Sequence, residues 1–368
     1  MAELLKDRLN YDSIREFALT IQSAYSPFQV DEFLKSVMDE TWGSLELKAR
    51  GRKICLNLGE FLPADYCTAI GVIDEVVAKC DGFFCIIFPD FVEVYGQDEI
   101  HWDISMKALE RYTQYSSSEW AVRLFIIKDE GRMMEQMRSW SKHENEHVRR
   151  LASEGCRPQL PWAQSLPSFK KDPTPILPIL EQLKTDPSQY VRNSVANNIN
   201  DISKTHPDLI MKLAKEWHGK NEATDWIIKH GLRTLLKKGN RDALAVFGFS
   251  DAASVEVSGF ALETPAITLG EDLSFSFEIT AKEATKVRLE YGIDYVKSNG
   301  KRSRKIFQIS EVSLKENQRK PYTKKHSFAD ASTRKHYPGT HTVTLIVNGA
   351  ERGVLDFTAS CFHSSTSK

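Results

Sequence analysis

Apolar residues recur every three or four positions over roughly residues 1–245, the spacing that places them on one face of an α-helix. Two such sets open the chain: Ile14, Phe17, Ala18 and Ile21, then Phe33, Val37 and Met38. The pattern predicts another helix from Leu45 to Leu62, closed by Pro63 because proline cannot continue the backbone hydrogen bonding. Later helices are predicted to begin at Ser105, Ser118, His147, Thr174, Tyr190, Pro207, Ala223 and Arg241.

Two of these helices share a sequence pattern. The segment from His147, HVRRLA, aligns with YVRNSV from Tyr190 at an offset of 43 residues, and a looser third copy starts at Trp226 after 36 more. Periods of this length are typical of HEAT-like units, which stack because no unit buries its apolar face alone. We therefore predict an α-helical repeat solenoid whose concave surface is lined by one helix of each pair.

The pattern changes near Ser250, where apolar and polar residues begin to alternate as in half-buried strands. The alternating positions are Leu273, Phe275, Phe277 and Ile279, then Val287, Leu289, Tyr291, Ile293 and Tyr295, then Val343, Leu345 and Val347. Asn299-Gly300 and Asn348-Gly349 predict two-residue hairpin turns. The chain is thus predicted to hold a helical domain at 1–245 and an immunoglobulin-like β-sandwich at 251–365, without the Cys…Trp…Cys core of antibody domains.

One segment of the predicted β-domain carries a concentrated positive charge. The chain is 27% charged and 41% hydrophobic with a formal net charge of −1, the composition of an ordinary soluble protein. Between 297 and 336, however, twelve Lys or Arg residues face three acidic ones. The densest part is Lys301, Arg302, Arg304 and Lys305. Such a run is compatible with a solvated loop and with a surface that contacts DNA phosphates, because affinity for a polyanion follows the local field.

Several function classes leave no trace in the sequence. The six cysteines are scattered without C-x-x-C spacing or a histidine cluster, so neither a zinc site nor a disulfide framework is expected. We find no P-loop, G-x-S-x-G, H-E-x-x-H or dinucleotide fingerprint, no signal peptide and no membrane-spanning run. The expectation is a reduced, cytoplasmic, monomeric protein without cofactor, metal or membrane partner.

The repeat register suggests a column of polar side chains. Glu154, Asn197 and Arg233 fall at equivalent positions, with Arg150 one turn before Glu154 and Asp201 one turn after Asn197. A carboxylate, an amide and arginines along one groove exceed what packing requires. Polar residues on a solvated helix face are also common, so both a shared site and a solvated face remain open.

Glu119 and Trp162 each have a functional and a structural interpretation. Ser116 to Glu119 fits an S-x-x-E capping box, and on spacing alone this role is favoured for Glu119. Trp162 follows a proline-stiffened turn and could stack on a base or deoxyribose. The alternative, a ring that anchors the loop to the core, is favoured before any resemblance is considered.

Three stretches resemble the AlkC branch of the HEAT-like-repeat alkylpurine DNA glycosylases. They are LELKAR from Leu45 with LPADY from Leu62, HVRRLASEGCRPQLPW from His147, and DPSQYVRNSVANNINDI from Asp186. The resemblance covers roughly residues 1–245, and part of this branch also carries an immunoglobulin-like domain. Position 159 is often basic in that branch, whereas this chain has Gln159.

The resemblance implies excision of 3-methyladenine and 3-methylcytosine from double-stranded DNA by a monofunctional glycosylase. It places the active-site carboxylates on Glu119, Glu154 and Asp201, which overturns the capping preference for Glu119, although both roles could coexist. It places groove residues on Arg150, Arg157 and Trp162, and we expect DNA contacts from Arg192, Arg233 and the basic residues 301, 302, 304 and 305 as well.

The expected chemistry fits these residue types. Alkylation makes the base a cationic leaving group, so fixed carboxylates need to stabilise an oxocarbenium-like deoxyribose and position water. The resemblance further implies bending of the duplex without a flipped-base pocket. Two alternatives are a HEAT-like scaffold for a protein partner, which predicts exposed apolar patches, and a damage-binding protein whose catalytic groups have decayed.

Overall fold

The computed structural model describes residues 4–80, 82–249, 251–330 and 335–361. Arg334 of the basic segment and residues 362–365 of the predicted β-domain therefore lie outside the described residues. The chain forms two compact units, the first made of Met1–His206 with Gly219–Gly231 and the second of Pro207–His218 with Leu232–Lys368. No helix of the described ranges is long and apolar enough to cross a bilayer.

Helices make up the first unit. In chain order the α-helices are α1 (Tyr11–Ala24), α2 (Val30–Val37), α3 (Leu47–Phe61), α4 (Tyr66–Val76), α5 (Ile87–Tyr95), α6 (Trp102–Tyr112), α7 (Val122–Lys128), α8 (Glu130–Trp140), α9 (Glu146–Glu154), α10 (Pro167–Lys171), α11 (Leu177–Leu183), α12 (Gln189–Ile202), α13 (Pro207–Trp217), α14 (Glu222–Gly231), α15 (Arg233–Lys237) and α16 (Arg241–Val246). Of these, α13, α15 and α16 belong to the second unit.

The opening helices follow the apolar pattern. On α1 the four apolar residues of the first set are the buried ones, and the Asn10 side chain caps the helix by accepting from the Ser13 amide. On α2 Phe33 and Val37 are buried, but Met38 lies just after the helix end. The helix predicted from Leu45 to Leu62 is confirmed as α3, two residues shorter at its start and one at its end.

The repeat register is confirmed for its first two copies. Helix α12 packs against both α9 and α14, and the equivalent rings of His147 and Tyr190 meet with centroids 5.6 Å apart. Gly231 allows α14 to pack closely on α12, because a Cβ at this position would lie only 2.6 Å from Cγ2 of Ile199. The third copy is interrupted, because α14 ends at Gly231 and Arg233 begins a separate helix in the second unit.

The second unit contains a β-sandwich. Its strands are β1 (Val255–Leu262), β2 (Ala266–Thr268), β3 (Asp272–Ala281), β4 (Thr285–Val296), β5 (Arg302–Leu314), β6 (Arg319–Ser327), β7 (Gly339–Val347) and β8 (Ala350–Ser360). One sheet has the order β1-β3-β6 and the other β2-β8-β7-β4-β5. The alternating apolar residues of β3, β4 and β7 form a shared buried core, which confirms the predicted immunoglobulin-like sandwich.

The two Asn-Gly turns differ. Asn348 and Gly349 have φ values of 45° and 79° and join β7 to β8 directly, as predicted for a two-residue hairpin. The prediction for Asn299-Gly300 is wrong in its length, because residues 297–301 form the connection between β4 and β5. There the Gly300 amide donates to the Lys297 carbonyl at 2.9 Å and Gly300 alone takes a positive φ, 73°, as in a longer turn closed by a left-handed glycine.

One of these turns makes a close backbone contact within the second unit. A Cβ on Gly349 would lie 2.4 Å from Cα of Gly239, which has a φ of +68°. Leu244 of α16 lies 3.1 Å from the same point. The β7–β8 hairpin therefore packs directly on the segment between α15 and α16, and only glycine fits on either side.

A candidate active site of carboxylates and arginines

Two buried carboxylates lie on either side of one guanidinium. Glu154 is the last residue of α9, Asp201 lies in the last turn of α12, and each is 5% exposed. Arg157, three residues after α9 ends, donates from Nε to Asp201 Oδ2 at 2.8 Å and from NH1 to Glu154 Oε1 at 2.5 Å. The α9–α12 packing thus brings carboxylates that are far apart in sequence onto a single arginine.

A second arginine extends this arrangement to Glu119. Arg150 NH1 lies 2.6 Å from Glu119 Oε2, and NH2 lies 3.8 Å from Glu154 Oε1. The Arg150 guanidinium also sits over the Tyr190 ring, 4.8 Å from its centroid. We call Glu119, Arg150, Glu154, Arg157 and Asp201 the carboxylate cluster.

The capping-box interpretation of Glu119 is wrong. Helix α7 begins at Val122, so Glu119 lies in the turn before it, and the Ser117 hydroxyl donates to Glu119 Oε2 at 2.8 Å. The side chain is therefore directed to Arg150 and not to the start of a helix.

Charge balance in the cluster leaves a formal excess of one negative charge, since three carboxylates face two guanidinium groups. Burial opposes the charged form of both arginines, but Glu119 and Glu154 raise the pKa of Arg150 above its usual value, and Glu154 and Asp201 do the same for Arg157. Both arginines are therefore firmly cationic.

Two further groups border the cluster. Lys204 approaches Asp201 Oδ1 at 2.9 Å, and its side chain is 40% exposed, so this ion pair faces solvent. Glu154 Oε2 is buried and accepts no hydrogen bond from any residue that the structure describes. A buried carboxylate oxygen without a donor is costly, which makes it a candidate acceptor for a ligand or water.

Trp162 does not anchor its loop to the core, contrary to the structural interpretation. Its relative exposure is 70%, and its backbone has a φ of +62°, a region that non-glycine residues rarely occupy. The ring lies on loop 155–166, which joins α9 to α10. An exposed indole on a strained backbone is available to stack on another flat or apolar group.

The remaining arginines predicted to contact DNA have different surroundings. Arg192 donates to the carbonyl oxygens of Asp186 and Pro187 and to the Gln189 side chain, so it closes the start of its own helix. Arg233 is half-buried at the start of α15 and belongs to the second unit. The contacts of Arg192 thus lie outside the carboxylate cluster.

The basic segment lies mainly on strands and not in a loop. Most of its described basic residues occupy β5 and β6, an edge strand of each sheet, while Lys297, Lys301, Lys315 and Lys335 lie in the connections between strands. Lys301 and Lys305 are exposed, Arg302 donates to the Thr342 hydroxyl at 2.9 Å, and Arg304 is ion-paired with Asp294 and Glu351.

These contacts divide the basic residues into two kinds. The hydrogen bonds that Arg304 donates to Asp294 and Glu351 raise its pKa, and the bond to Asp294 has the larger effect. Its charge is therefore balanced within the domain, whereas the exposed lysines remain accessible to an anion.

Sequence reasoning missed Arg123 and Lys48, which support the loop of Trp162. Arg123, on α7, is 1% exposed and donates to backbone carbonyls of that loop. Lys48, on α3, donates to the Trp162 carbonyl at 2.5 Å. Both residues line a polar cavity of about 330 Å³ together with Trp120 and Gln164. Lys48 lies in the LELKAR stretch, but its spacing gives no indication of a contact with Trp162, and Arg123 lies outside the repeats and the three stretches.

Within the described ranges, no group of histidine, cysteine or carboxylate side chains is arranged to hold a metal ion.

The family models that match divide the chain in two. The family described as "DNA alkylation repair enzyme" matches residues 116–235, which include the whole carboxylate cluster. The family described as "Uncharacterised protein YhaZ, C-terminal Ig-like domain" matches residues 256–360, the β-sandwich.

Two similar proteins extend over nearly the full length. "Uncharacterized protein YhaZ" of Bacillus subtilis (strain 168) is 48% identical over 353 residues, covering 96% of this chain and 98% of its own. The alkylpurine DNA glycosylase AlkC of Pseudomonas fluorescens, solved bound to DNA containing an abasic site analog, is 36% identical with a TM-score of 0.92. It covers 97% of this chain and 100% of its own.

Proposed function

Because the chain belongs to the DNA alkylation repair enzyme family, in the AlkC-like form with a C-terminal immunoglobulin-like domain, we propose that it is a DNA glycosylase. It hydrolyses the N-glycosidic bond of cationic alkylated bases, 3-methyladenine and 3-methylcytosine, in double-stranded DNA. It is monofunctional, releasing the base without cutting the strand. The observation that carries the proposal is the carboxylate cluster, three acidic groups held in place by two buried arginines.

The reaction needs fixed negative charge more than a general acid. Alkylation at N3 gives the base a positive charge, and as the glycosidic bond breaks its electron pair stays with the base, which therefore leaves as a neutral molecule. Positive charge then develops on the deoxyribose as an oxocarbenium-like species. Preorganised carboxylates stabilise such a charge without having to reorient, and one of them can also position or deprotonate the attacking water.

The geometry supports separate roles within the cluster. Asp201 and Glu119 act on the oxocarbenium-like sugar and on water, while Glu154 supports them and offers its partnerless oxygen Oε2. Arg157 is 7% exposed between Glu154 and Asp201, so we assign it to positioning these carboxylates and not to a phosphate contact. The carboxylate oxygens are what a cationic transition state requires, since Arg150, Arg157 and Lys204 balance their formal charge in the free chain.

Trp162 and the β-sandwich supply DNA contacts in this proposal. The exposed indole of Trp162 stacks on the deoxyribose or the base, without a pocket for a flipped base. Exposed Lys301 in the β4–β5 turn and Lys305 on β5 contact phosphates, so that the second domain clamps the duplex. Selectivity then comes from the lability and the charge of the alkylated base.

The two alternatives are less compatible with the site. A scaffold for a protein partner predicts exposed apolar patches, whereas this surface carries buried ion pairs and one exposed indole. A damage-binding protein with decayed catalytic groups would lack some of the carboxylates, but Glu119, Glu154 and Asp201 are all present and all connected by arginines.

The test is release of free base from duplex DNA that carries 3-methyladenine or 3-methylcytosine. Asp201→Asn and Glu119→Gln are compared with the native chain, and Asp186→Asn is the matched control. Asp186 is a buried carboxylate, 6% exposed, that pairs with Arg149 outside the cluster at 2.6 Å. Asp186→Asn therefore loses an ion pair of the same kind without touching the cluster.

We expect the native chain to release both bases and the two cluster variants to be slower by about 100-fold, the cost of removing one preorganised electrostatic group. Their DNA affinity should persist, and Asp186→Asn should retain its rate per folded molecule. If the native chain released neither base while still binding DNA in a salt-dependent manner, the glycosylase proposal would fail.

A further inference from the structure

Loop 155–166 carries two residues of the proposed site, Arg157 and Trp162, yet it has little secondary structure of its own. Two backbone hydrogen bonds join residues within it, from the Leu166 amide to the Pro158 carbonyl at 3.1 Å and from the Ala163 amide to the Leu160 carbonyl at 3.3 Å. Such a compact surface loop depends on groups outside it to fix its conformation.

One side chain contacts both ends of this loop. NH1 of Arg123 donates to the carbonyl oxygens of Gly155 at 3.0 Å and Arg157 at 2.9 Å, and Nε donates to the carbonyl of Gln164 at 2.5 Å. The first two carbonyls lie where the chain leaves α9, and the third lies two residues after Trp162. A single guanidinium therefore spans the base of the loop.

Arg123 is unusual because its charge has no direct counterion. It is 1% exposed, and it forms no ion pair with any acidic side chain in the described part of the chain. Burial, together with the charge of Arg157, lowers the pKa of its guanidinium to about 10. A buried cation held by carbonyl groups alone is costly, so its retention calls for a function that an apolar residue cannot provide.

Lys48 holds the middle of the same loop. Its Nζ donates to the Trp162 carbonyl at 2.5 Å and lies 4.4 Å from the centroid of the Trp120 ring. Trp120 directly follows Glu119 in the sequence. Lys48 thus connects the Trp162 loop to the segment that carries Glu119, while Arg123 fixes the loop at its two ends.

We propose that Arg123 is a positioning residue, whose guanidinium clamps three carbonyl oxygens of loop 155–166 and thereby holds the Trp162 indole and the Arg157 side chain in register with the carboxylate cluster. The inference rests on the proposed glycosylase function for its effect on catalysis, but not for its effect on the loop. Geometry and not charge is the important property, because the planar fork of arginine directs several N–H groups at fixed angles.

The test uses Arg123→Lys, which keeps the charge and removes the fork. The matched control is Arg149→Lys, since Arg149 also donates to two backbone carbonyls and a carboxylate, but in the segment 143–144 and at Asp186. The full chain is labelled with 5-fluorotryptophan, and a Trp162→Phe variant assigns the ¹⁹F signal of Trp162. Single-turnover base release and DNA affinity are measured on the same samples.

We expect Arg123→Lys to shift or broaden the Trp162 signal while the signals of the other tryptophans, except Trp120 close by, stay in place. The rate of base release should fall by about 10- to 100-fold, as for other small misplacements of catalytic groups. DNA affinity should change by less than about 3-fold, because the variant displaces one loop and leaves the other DNA-binding groups in place. Arg149→Lys should leave the Trp162 signal and the rate unchanged.

A second variant covers a failure of Arg123→Lys to fold. Arg123→Gln removes the buried charge along with the fork, so it avoids the desolvation cost, and it should give the same change at Trp162. An unchanged Trp162 signal in either folded variant would overturn the clamp, and an unchanged rate with a shifted signal would overturn its role in catalysis. An inactive native chain would contradict the proposed function but not the clamp, because the fluorine signal reports on the loop without any turnover.

Discussion

The Trp162 backbone shows at the scale of one residue how a site can be maintained against a local preference. For an L-amino acid other than glycine, the left-handed region costs roughly 1–2 kcal/mol. Trp162 occupies it at a φ of +62° while exposing most of its ring to solvent. Neither burial of the ring nor the backbone conformation stabilises the folded chain here, so the indole is retained for what it contacts outside the protein.

This leads to a prediction about stability and activity at one position. Trp162→Gly relieves the strain, whereas Trp162→Ala removes the same ring and keeps the strain. The relief of strain stabilises the glycine variant, but the greater freedom of glycine in the unfolded chain destabilises it by about 0.5–1 kcal/mol relative to alanine. We therefore expect the glycine variant to be more stable than the alanine variant by about 0.5–1 kcal/mol in urea denaturation, the difference between these two contributions.

Both Trp162 variants should lose base release to the same extent, because the ring is absent from each. Equal stability of the two would show that the backbone at this position carries no strain. A glycine variant with native activity would remove the indole from the proposed mechanism.

At the scale of the element, prediction succeeded where a pattern is local. The amphipathic face of α1 and the alternation along β3, β4 and β7 each lie within one segment, and both were predicted residue by residue. Helix α4 was missed because its buried residues, among them Ile70, Val72 and Ile73, lie on more than one face and show no amphipathic period.

The candidate site, in contrast, is formed by residues that are far apart in the sequence. Glu119 comes from the turn before α7, Glu154 from α9, Arg157 from the following loop and Asp201 from α12. Spacing alone related Glu154 to Asp201 through the repeat, but it assigned Glu119 to a cap. Family resemblance was needed to choose Glu119, and only the three-dimensional arrangement shows that Arg157 lies between two carboxylates.

Strand β7 provides a pH-dependent prediction at this scale. His341 is 0% exposed, its Nε2 is 3.0 Å from the Tyr337 carbonyl oxygen, and Nδ1 accepts from the Val296 amide at 3.4 Å. Burial lowers the pKa of His341, and the charge of Arg302 lowers it further. The ring is therefore neutral in the fold, with Nε2 donating to Tyr337 and Nδ1 as the acceptor.

The sign of the effect follows from proton binding. Below the ordinary histidine pKa of about 6.5 the unfolded chain takes up a proton that the folded chain does not, so stability falls as the pH drops from there toward the lowered folded value. We expect the protection of 339–347 in hydrogen–deuterium exchange, corrected for intrinsic rates, to fall in the native chain as the pH is lowered below about 6.5. His341→Gln, which cannot titrate, should show a smaller fall. The same fall in both proteins would exclude His341 as the cause.

At the scale of the whole molecule, charge is unevenly distributed. The chain has a formal net charge of −1, yet most of its described basic segment lies on β5 and β6, one edge strand of each sheet. Lysines on edge strands also prevent pairing with another sheet, which is a structural reason for their presence. If these lysines clamp DNA, the salt dependence of DNA affinity should depend on them. If they only block the sheet edge, it should not.

The discriminating variant is Lys301→Gln with Lys305→Gln, two exposed residues of the β4–β5 turn and β5. If both lysines bind phosphates, the slope of log affinity against log salt should decrease by about 2, roughly 0.9 for each phosphate that is no longer neutralised. The matched double control is Lys282→Gln with Arg352→Gln, which removes two exposed charges of the same domain outside the basic segment. An unchanged slope in the Lys301/Lys305 variant, together with aggregation, would favour the blocked edge over the clamp.

Point substitutions are preferable to truncation for this purpose. Deleting residues 251–368 would remove the β7–β8 hairpin from Gly239 and Leu244, which pack on Gly349 within the second unit. A weaker DNA affinity in such a fragment would then combine the removal of DNA-binding groups with damage to the helices left behind.

The path of the chain between its two compact units has an evolutionary consequence. The chain leaves the first unit after His206, returns to it at Gly219 and leaves it again after Gly231. A single recombination breakpoint can therefore not exchange one unit for another, since any cut in the gene before 231 divides at least one of them. Exchange of one whole unit requires three breakpoints, after His206, after His218 and after Gly231.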